Sequence, residues 1–170
     1  AAPGIQFLHC LQNEVSGGFS TLVDGFAVAE YIKKNNSQAF ESLTTTNLRY
    51  QFQDKDIVLE NWGELIELDK DGDYKQVRYS TRVDYVPPLE TEKLKIFYQS
   101  RKLLSELYCS SEFELRFKLQ PGDIMMFDNH RLLHGRTAYD ANEGMRHLQG
   151  CYLEFDATDG KLRHLARKFK

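Results

Sequence analysis

His134 and Arg146 stand in the surroundings best suited to chemistry anywhere in the chain. His134 lies in Leu132-Leu133-His134-Gly135-Arg136, after the apolar run Ile124 to Phe127 and the polar Asp128-Asn129-His130-Arg131. Arg146 opens the segment RHLQGCYLEF, whose period of two puts Arg146, Leu148, Gly150 and Tyr152 on one strand face. A neutral imidazole can ligate a metal. A guanidinium meets a carboxylate with two parallel hydrogen bonds, which a lysine cannot reproduce. A histidine leaving one strand and an arginine entering the next can therefore aim a metal ligand and a carboxylate clamp into one β-barrel cavity. Arg136, two residues past His134, is the rival for the clamp. The bland alternatives are a hydrogen-bonded histidine after a strand and a surface ion pair, which is where most arginines are found.

The flanking elements are legible from turn residues and periodicity. Phe113 to Leu119 alternates, Gln120-Pro121-Gly122-Asp123 marks a turn, and Ile124 to Phe127 reads as a short buried strand. Upstream, Ile5 to Leu11 and Thr21 to Val23 read as strands joined through Gly17-Gly18. Asp24-Gly25 introduces a helix from about Phe26 to Lys34, and a second helix runs to Leu43 after Asn35-Asn36-Ser37. Residues 44–87 read as irregular strands with a hairpin around Asp69 to Asp73. Asp69, Asp71 and Asp73 resemble a calcium loop, but Gly72 is misplaced and no glutamate closes it, so a turn is expected. After Pro87-Pro88, Thr91 is expected to cap a helix reaching Tyr108, with Leu94, Phe97, Arg101, Leu104 and Leu107 at helical spacing. That helix is expected to buttress the outside of a barrel.

Composition narrows the function classes. The 170 residues suit one domain, or most of one, with 41% hydrophobic and 28% charged residues. A net charge of −3 makes no electrostatic case for nucleic acid or an anionic membrane, and no stretch has the apolar length of a membrane helix. The basic run Lys161 to Lys170 reads as a solvated helix face. Cys10, Cys109 and Cys151 contain no C-x-x-C pair, which gives no support to a zinc site or disulfide framework. Cys10 and Cys151 are expected as small core residues on strands, and this usage suits a reducing compartment such as the cytosol or mitochondrial matrix.

A family resemblance runs over nearly the whole chain. It is carried by Pro3-Gly4-Ile5-Gln6-Phe7-Leu8-His9-Cys10, Gly17-Gly18, Leu22-Val23-Asp24-Gly25-Phe26, Lys33-Lys34-Asn35-Asn36, Gln38-Ala39-Phe40, Ile66-Glu67-Leu68-Asp69 and Phe127-Asp128-Asn129 through Arg136. These segments resemble the γ-butyrobetaine and trimethyllysine dioxygenase family of Fe(II)- and 2-oxoglutarate-dependent oxygenases. The resemblance implies a mostly β fold with helical insertions, a distorted double-stranded β-helix or jelly roll. It implies His134 as the distal ligand of a 2-His-1-carboxylate iron site, and Arg146 as the clamp on the far carboxylate of 2-oxoglutarate. Ser20 matches the hydroxyl residue of a Gly-Gly-x-Ser/Thr pattern and would donate to the same cosubstrate, with Thr21 as its rival. Leu8 matches a leucine lining that pocket. Tyr152 matches a tyrosine of an aromatic cage for a trimethylammonium group. His130 stands where the relatives carry tryptophan.

The reaction implied by the resemblance is hydroxylation of γ-butyrobetaine to L-carnitine, with trimethyllysine as the alternative substrate. Fe(II), 2-oxoglutarate and ascorbate are the implied cofactors, and homodimers are common in the family. One departure matters: no His-x-Asp or His-x-Glu occurs in the chain. In the family that pair precedes the segment matched by Ala2-Pro3-Gly4. The expectation is that residues 1–170 are the C-terminal part of one catalytic domain, with the jelly roll incomplete at its N-terminus and this piece inactive alone. The family's asparagine pair for the substrate carboxylate falls near Ser80-Thr81, a second departure. The competing readings are a jelly-roll binding domain without the metal triad, and a structural role.

Overall fold

The computed structural model describes residues 3–80 and 82–169. Eleven strands and four helices follow one another among these residues. They are β1 (Ile5–Asn13), β2 (Ser20–Asp24), α1 (Gly25–Asn35), α2 (Ser37–Thr45), β3 (Leu48–Gln53), β4 (Val58–Gly63), β5 (Ile66–Leu68) and β6 (Tyr74–Val77). Then come β7 (Asp84–Tyr85), α3 (Thr91–Tyr108), β8 (Glu114–Phe117), β9 (Ile124–Asp128), β10 (Leu132–Arg136), β11 (Arg146–Leu153) and α4 (Phe155–Lys168). Three three-stranded sheets have the orders β11-β1-β9, β10-β2-β8 and β4-β3-β7, and β5 pairs with β6. The described residues divide into two compact units, one of residues 22–115 and 131–133, the other of 3–21, 116–130 and 134–169.

The first unit is built on helices. Asp24 caps α1, its Oδ1 accepting from the backbone N–H groups of Phe26 and Ala27, and Arg131 pairs with the same carboxylate at 2.6 Å. These contacts hold the Asp24 carboxyl below its ordinary pKa although burial opposes them. Asn36 caps α2 through Ala39 N. The apolar stripes of α1, α2 and α3 meet in a core of Val28, Ala29, Ile32, Ala39, Leu43, Phe97 and Leu104, joined by Leu48, Leu65, Ile66 and Val77. Each valine, leucine, isoleucine or phenylalanine among them contributes about 1.5–3 kcal/mol on burial. The expected stripe on α3 is present; it packs against α1 and α2, and its Phe97 and Leu104 share their core with Leu48, Ile66 and Val77 of the strands β3, β5 and β6. Glu90, not Thr91, precedes the first turn, because the Glu90 carbonyl already accepts from Leu94 N. Asp69 Oδ1 accepts from Asp71 N and Asp73 N with Gly72 at φ +87°, so the acidic run is a self-bonded turn.

The second unit is built on the sheet β11-β1-β9, both of whose pairs are antiparallel. One face carries Gln6, Leu8 and Cys10 of β1, Met125 and Phe127 of β9, and Leu148, Gly150 and Tyr152 of β11. Gln6, Cys10, Met125 and Phe127 on this face are buried. The opposite face carries Phe7, His9, Ile124, Met126 and Cys151, of which Ile124, Met126 and Cys151 are exposed. Cys151 is therefore not a core residue. Strand membership places a side chain on one of two faces, and its parity puts Cys151 opposite Phe7 on the outward one. Cys10, at 0% exposure, does sit in the core. Helix α4 buries none of its described side chains, and Arg167 and Lys168 in its last turn suit the helix dipole. Among the described residues no helix is long and apolar enough to cross a membrane.

Candidate functional site

His134, Arg146, Arg136, Ser20, Thr21, Leu8 and Tyr152 all fall in the second unit. His134 lies in β10, which follows β9 through the turn at Asp128 to Arg131. Its ring is 5.0 Å from that of Phe127, centroid to centroid. The residue is exposed at the surface, yet the protein packed around its ring desolvates it and lowers its pKa below the ordinary histidine value. The neutral form, the one that ligates metals, is thereby favoured. Among the described residues no three His, Cys, Asp or Glu side chains gather into a group that could hold a metal ion. His134 supplies one donor, and a lone imidazole does not make an iron site.

Arg146 starts β11 and is half-buried. Its Nε is buried and makes no hydrogen bond among the described residues, while an Nη reaches the Gly18 carbonyl at 3.4 Å. Lost hydration, and then the nearby Arg136 cation, lower its pKa. A partly desolvated, under-bonded guanidinium beside another cation is poorly accommodated without an anion. A carboxylate is the ligand that fits it. Arg136 and Arg146 approach the same aromatic ring, that of Tyr139, at 4.3 and 5.4 Å. Arg136 is exposed and Arg146 is not, so Arg146 is the better desolvated of the two candidates.

Backbone and side-chain hydrogen bonds over long sequence distances tie the segments flanking Arg146 to residues 14–19. Glu14 N donates to Met145 O, and Glu14 Oε2 accepts from Met145 N. Glu143 Oε2 accepts from both Ser16 N and Ser16 Oγ. Phe19 and Thr137 bond each other twice, through Thr137 N to Phe19 O and Phe19 N to Thr137 Oγ1. Gly17 and Gly18 make this join possible. A Cβ on Gly17 would lie 2.5 Å from Ala138 O, and one on Gly18, whose φ is +69°, would lie 2.9 Å from Arg146 Nε. Gly18→Ala should therefore both strain the backbone, at about 1–2 kcal/mol, and displace the arginine. In the full-length protein we expect a lower thermal midpoint together with a weaker response to 2-oxoglutarate. Gly72→Ala is the control: its φ is +87° but nothing lies within 4 Å, so only stability should fall. Equal behaviour of the two variants in cosubstrate response would rule out the cradle.

The remaining candidates sit as follows. Ser20 is buried at the head of β2, two residues past Gly18. Thr21 is half-buried, its Oγ1 2.9 Å from where a Cβ on Gly135 would stand. Leu8 lies opposite Gly150, and its Cδ2 would be 3.3 Å from a Cβ there, so the glycine leaves room for the leucine. Tyr152 is opposite Gln6, which in turn faces Phe127, and its side chain is 57% exposed. The structure thus puts Leu8, Gly150, Tyr152 and Phe127 on one sheet face, with His134 against Phe127. His9 and His147 belong to the other face, and the His130 ring packs edge-on against Phe155 at 5.0 Å. Ser80 lies in the first unit, its carbonyl accepting from Arg101; Thr81 and Ala2 lie outside the described residues.

Sequence reasoning missed two residues beside Arg146. Tyr139, on the loop after β10, stacks with both arginines. Asn13 pairs directly with Arg146 across β1 and β11. A tyrosine after an Arg-rich loop offered a weak hint of the first, while nothing in the sequence announces the second.

Comparison with known proteins bears on the whole of this arrangement. The family model described as "Taurine catabolism dioxygenase TauD, TfdA family" matches residues 1–152. The chain is 38% identical to the gamma-butyrobetaine dioxygenase of Homo sapiens over 98% of its own length and 44% of that protein. It is 32% identical to the gamma-butyrobetaine dioxygenase of Pseudomonas sp. (strain AK-1), over 97% and 43%. With the mitochondrial trimethyllysine dioxygenase of Bos taurus the identity is 30%, over 90% and 37%. The chain spans less than half the length of these curated relatives. Among solved structures, AAD-2 in complex with Mn(II) and N-oxalylglycine superposes with a TM-score of 0.69 at 15% identity, over 89% of this chain and 63% of that one. An asparagine oxygenase in complex with Fe(II), 2S,3S-3-hydroxyasparagine and succinate gives 0.68 at 16%, over 89% and 46%. At such identities the likeness shows the fold: mostly β with helical insertions, a distorted double-stranded β-helix.

Proposed function

The chain belongs to the TauD/TfdA dioxygenase family, and from that premise we propose that the whole protein hydroxylates γ-butyrobetaine to L-carnitine, consuming 2-oxoglutarate at an Fe(II) centre. The observation that carries the chemistry is the half-buried Arg146 guanidinium, beside the Arg136 cation and held by one long bond from an Nη to the Gly18 carbonyl, on a sheet that also presents Phe127, the partner of His134. The relatives at 38% and 32% identity favour the butyrobetaine substrate.

Within this reading residues 1–170 are the C-terminal part of one catalytic domain. His134 is the distal iron ligand, and the other histidine and the carboxylate come from outside these residues. When bound and complete, the iron centre supplies the oxidising chemistry. The chain's own residues do the rest by binding and orientation. Arg146 takes the far carboxylate of 2-oxoglutarate, Ser20 donates to the same group, and Leu8 packs along the cosubstrate's methylene chain. The open face of Tyr152 forms one wall of a cage for the trimethylammonium group. Ascorbate keeps the metal reduced. The protein acts as a homodimer in the cytoplasm or, as the names of its trimethyllysine relatives say of them, in the mitochondrion.

A second substrate has its own support. Trimethyllysine relatives match at 30–32% identity. Succinate release by the full-length protein, measured with each quaternary amine in turn, separates the readings. Butyrobetaine-dependent succinate with carnitine formation is expected. Succinate only with trimethyllysine would transfer the assignment, and none with either would end it.

A further inference from the structure

A buried acceptor and a buried donor stand opposite one another beside the clamp, and neither is used. Along β1 the inward positions are Gln6, Leu8 and Cys10, and strict alternation would next turn Gln12 inward. The register instead shifts between Cys10 and Gln12, a β-bulge that pairs Gln12 with His147 and Asn13 with Arg146. Gln12 is accordingly exposed, while Asn13 is 8% exposed. The bulge thus exchanges the faces of two neighbouring residues. Its outcome is an asparagine directly opposite the arginine.

The Asn13 carboxamide is already oriented. Its Nδ2 donates to Leu119 O at 2.7 Å, and Cys10 Sγ donates to the same carbonyl at 3.7 Å. With the amino group held there, Oδ1 is the atom left over, and it is buried with no hydrogen-bond partner. Arg146 Nε is likewise buried and without one. Directly opposed residues of an antiparallel pair hold their Cβ atoms about 4.5–5.5 Å apart, within reach of an asparagine and an arginine. Two complementary unsatisfied atoms at such positions are rare among buried polar groups.

We propose that Asn13 is a positioning residue for the Arg146 clamp. Its Oδ1 accepts the Nε–H of Arg146 when the dicarboxylate cosubstrate binds, and this leaves the terminal guanidinium nitrogens for the carboxylate. Tyr139 lies over the guanidinium with its ring centroid 5.4 Å away, Gly18 leaves the space, and Asn13 fixes the rotation of the side chain. An arginine so anchored loses less side-chain freedom on capturing its ligand, and affinity rises for that reason. The inference rests on the reading of Arg146 as the cosubstrate clamp.

The test uses the full-length protein. Binding of N-oxalylglycine with Mn(II) is measured by calorimetry, alongside KM for 2-oxoglutarate and kcat. Asn13→Leu should weaken N-oxalylglycine and raise KM for 2-oxoglutarate by about tenfold, the scale of one hydrogen bond to a charged group, with kcat little changed. Asn13→Gln, which keeps the carboxamide, should recover most of that loss. In an Arg146→Ala background Asn13→Leu should add no further loss, since the two act as one unit. Asn13→Asp keeps the shape and guards against a misfolded leucine variant. Its carboxylate would compete with the cosubstrate for the guanidinium, so it too should bind N-oxalylglycine more weakly. Wild-type affinity in Asn13→Leu or Asn13→Asp overturns the inference, as does equal loss in the leucine and glutamine variants. If the wild type binds no N-oxalylglycine, the clamp reading fails as well. If it binds, and only Arg146→Ala weakens it, the positioning role alone is lost.

Discussion

Replacing His134 by alanine in the full-length protein should remove iron binding and, with it, turnover. The expected fall exceeds about a hundredfold, because altering even a residue that merely supports a metal ligand typically costs 10–100-fold. Desolvation lowers the pKa of the imidazole and favours the neutral form a metal requires, and its one aromatic neighbour among the ring contacts described is Phe127. Losing that contact costs about 0.5–1.5 kcal/mol, so the variant should remain folded. Metal content of the purified variant, with a melting curve from the same sample, checks both halves. A folded variant that keeps its iron and its succinate production would remove His134 from the site.

The second large effect is expected at Arg146. Arg146→Ala should raise the 2-oxoglutarate concentration needed for half-maximal rate by about 10–100-fold, the value of 1.5–3 kcal/mol for hydrogen bonds to a charged group. Arg146→Lys should recover little of this, since an ammonium lacks the planar fork. Arg136→Ala should shift the requirement far less, because that guanidinium is exposed and screened by water. The informative comparison is the pair measured together. If Arg136→Ala is the impaired variant and Arg146→Ala responds like wild type, the clamp belongs to Arg136, and Asn13 has nothing to position.

Much of this arrangement is legible in the chain. The period of two from Arg146 places Leu148, Gly150 and Tyr152 together, and the register with β1 bears that out. The helix Thr91–Tyr108 follows from apolar spacing after a Pro-Pro break, and the turn at Asp69 from side chains that bond their own backbone. Helix α4 follows the basic run, with its side chains in solvent. These features are local, set within a few residues by backbone geometry and amphipathic spacing. Family membership, too, is carried by short segments that need no structure to be read.

Contacts between distant segments are another matter. The strand at Cys151 was foreseeable, but its exposure was not, because facing depends on which partner a strand takes and in what register. The bulge between Cys10 and Gln12 has no sequence signature, yet it decides that Asn13 and not Gln12 lies opposite Arg146. The same holds for Gly17 and Gly18 against Ala138 and Arg146. By itself the sequence determined the elements, the family and the identity of the candidate histidine and arginine. Only the tertiary structure decided what surrounds that arginine, since Asn13 and Gly18 reach it from more than a hundred residues away in the chain, through a strand register and hydrogen bonds that local preference does not encode.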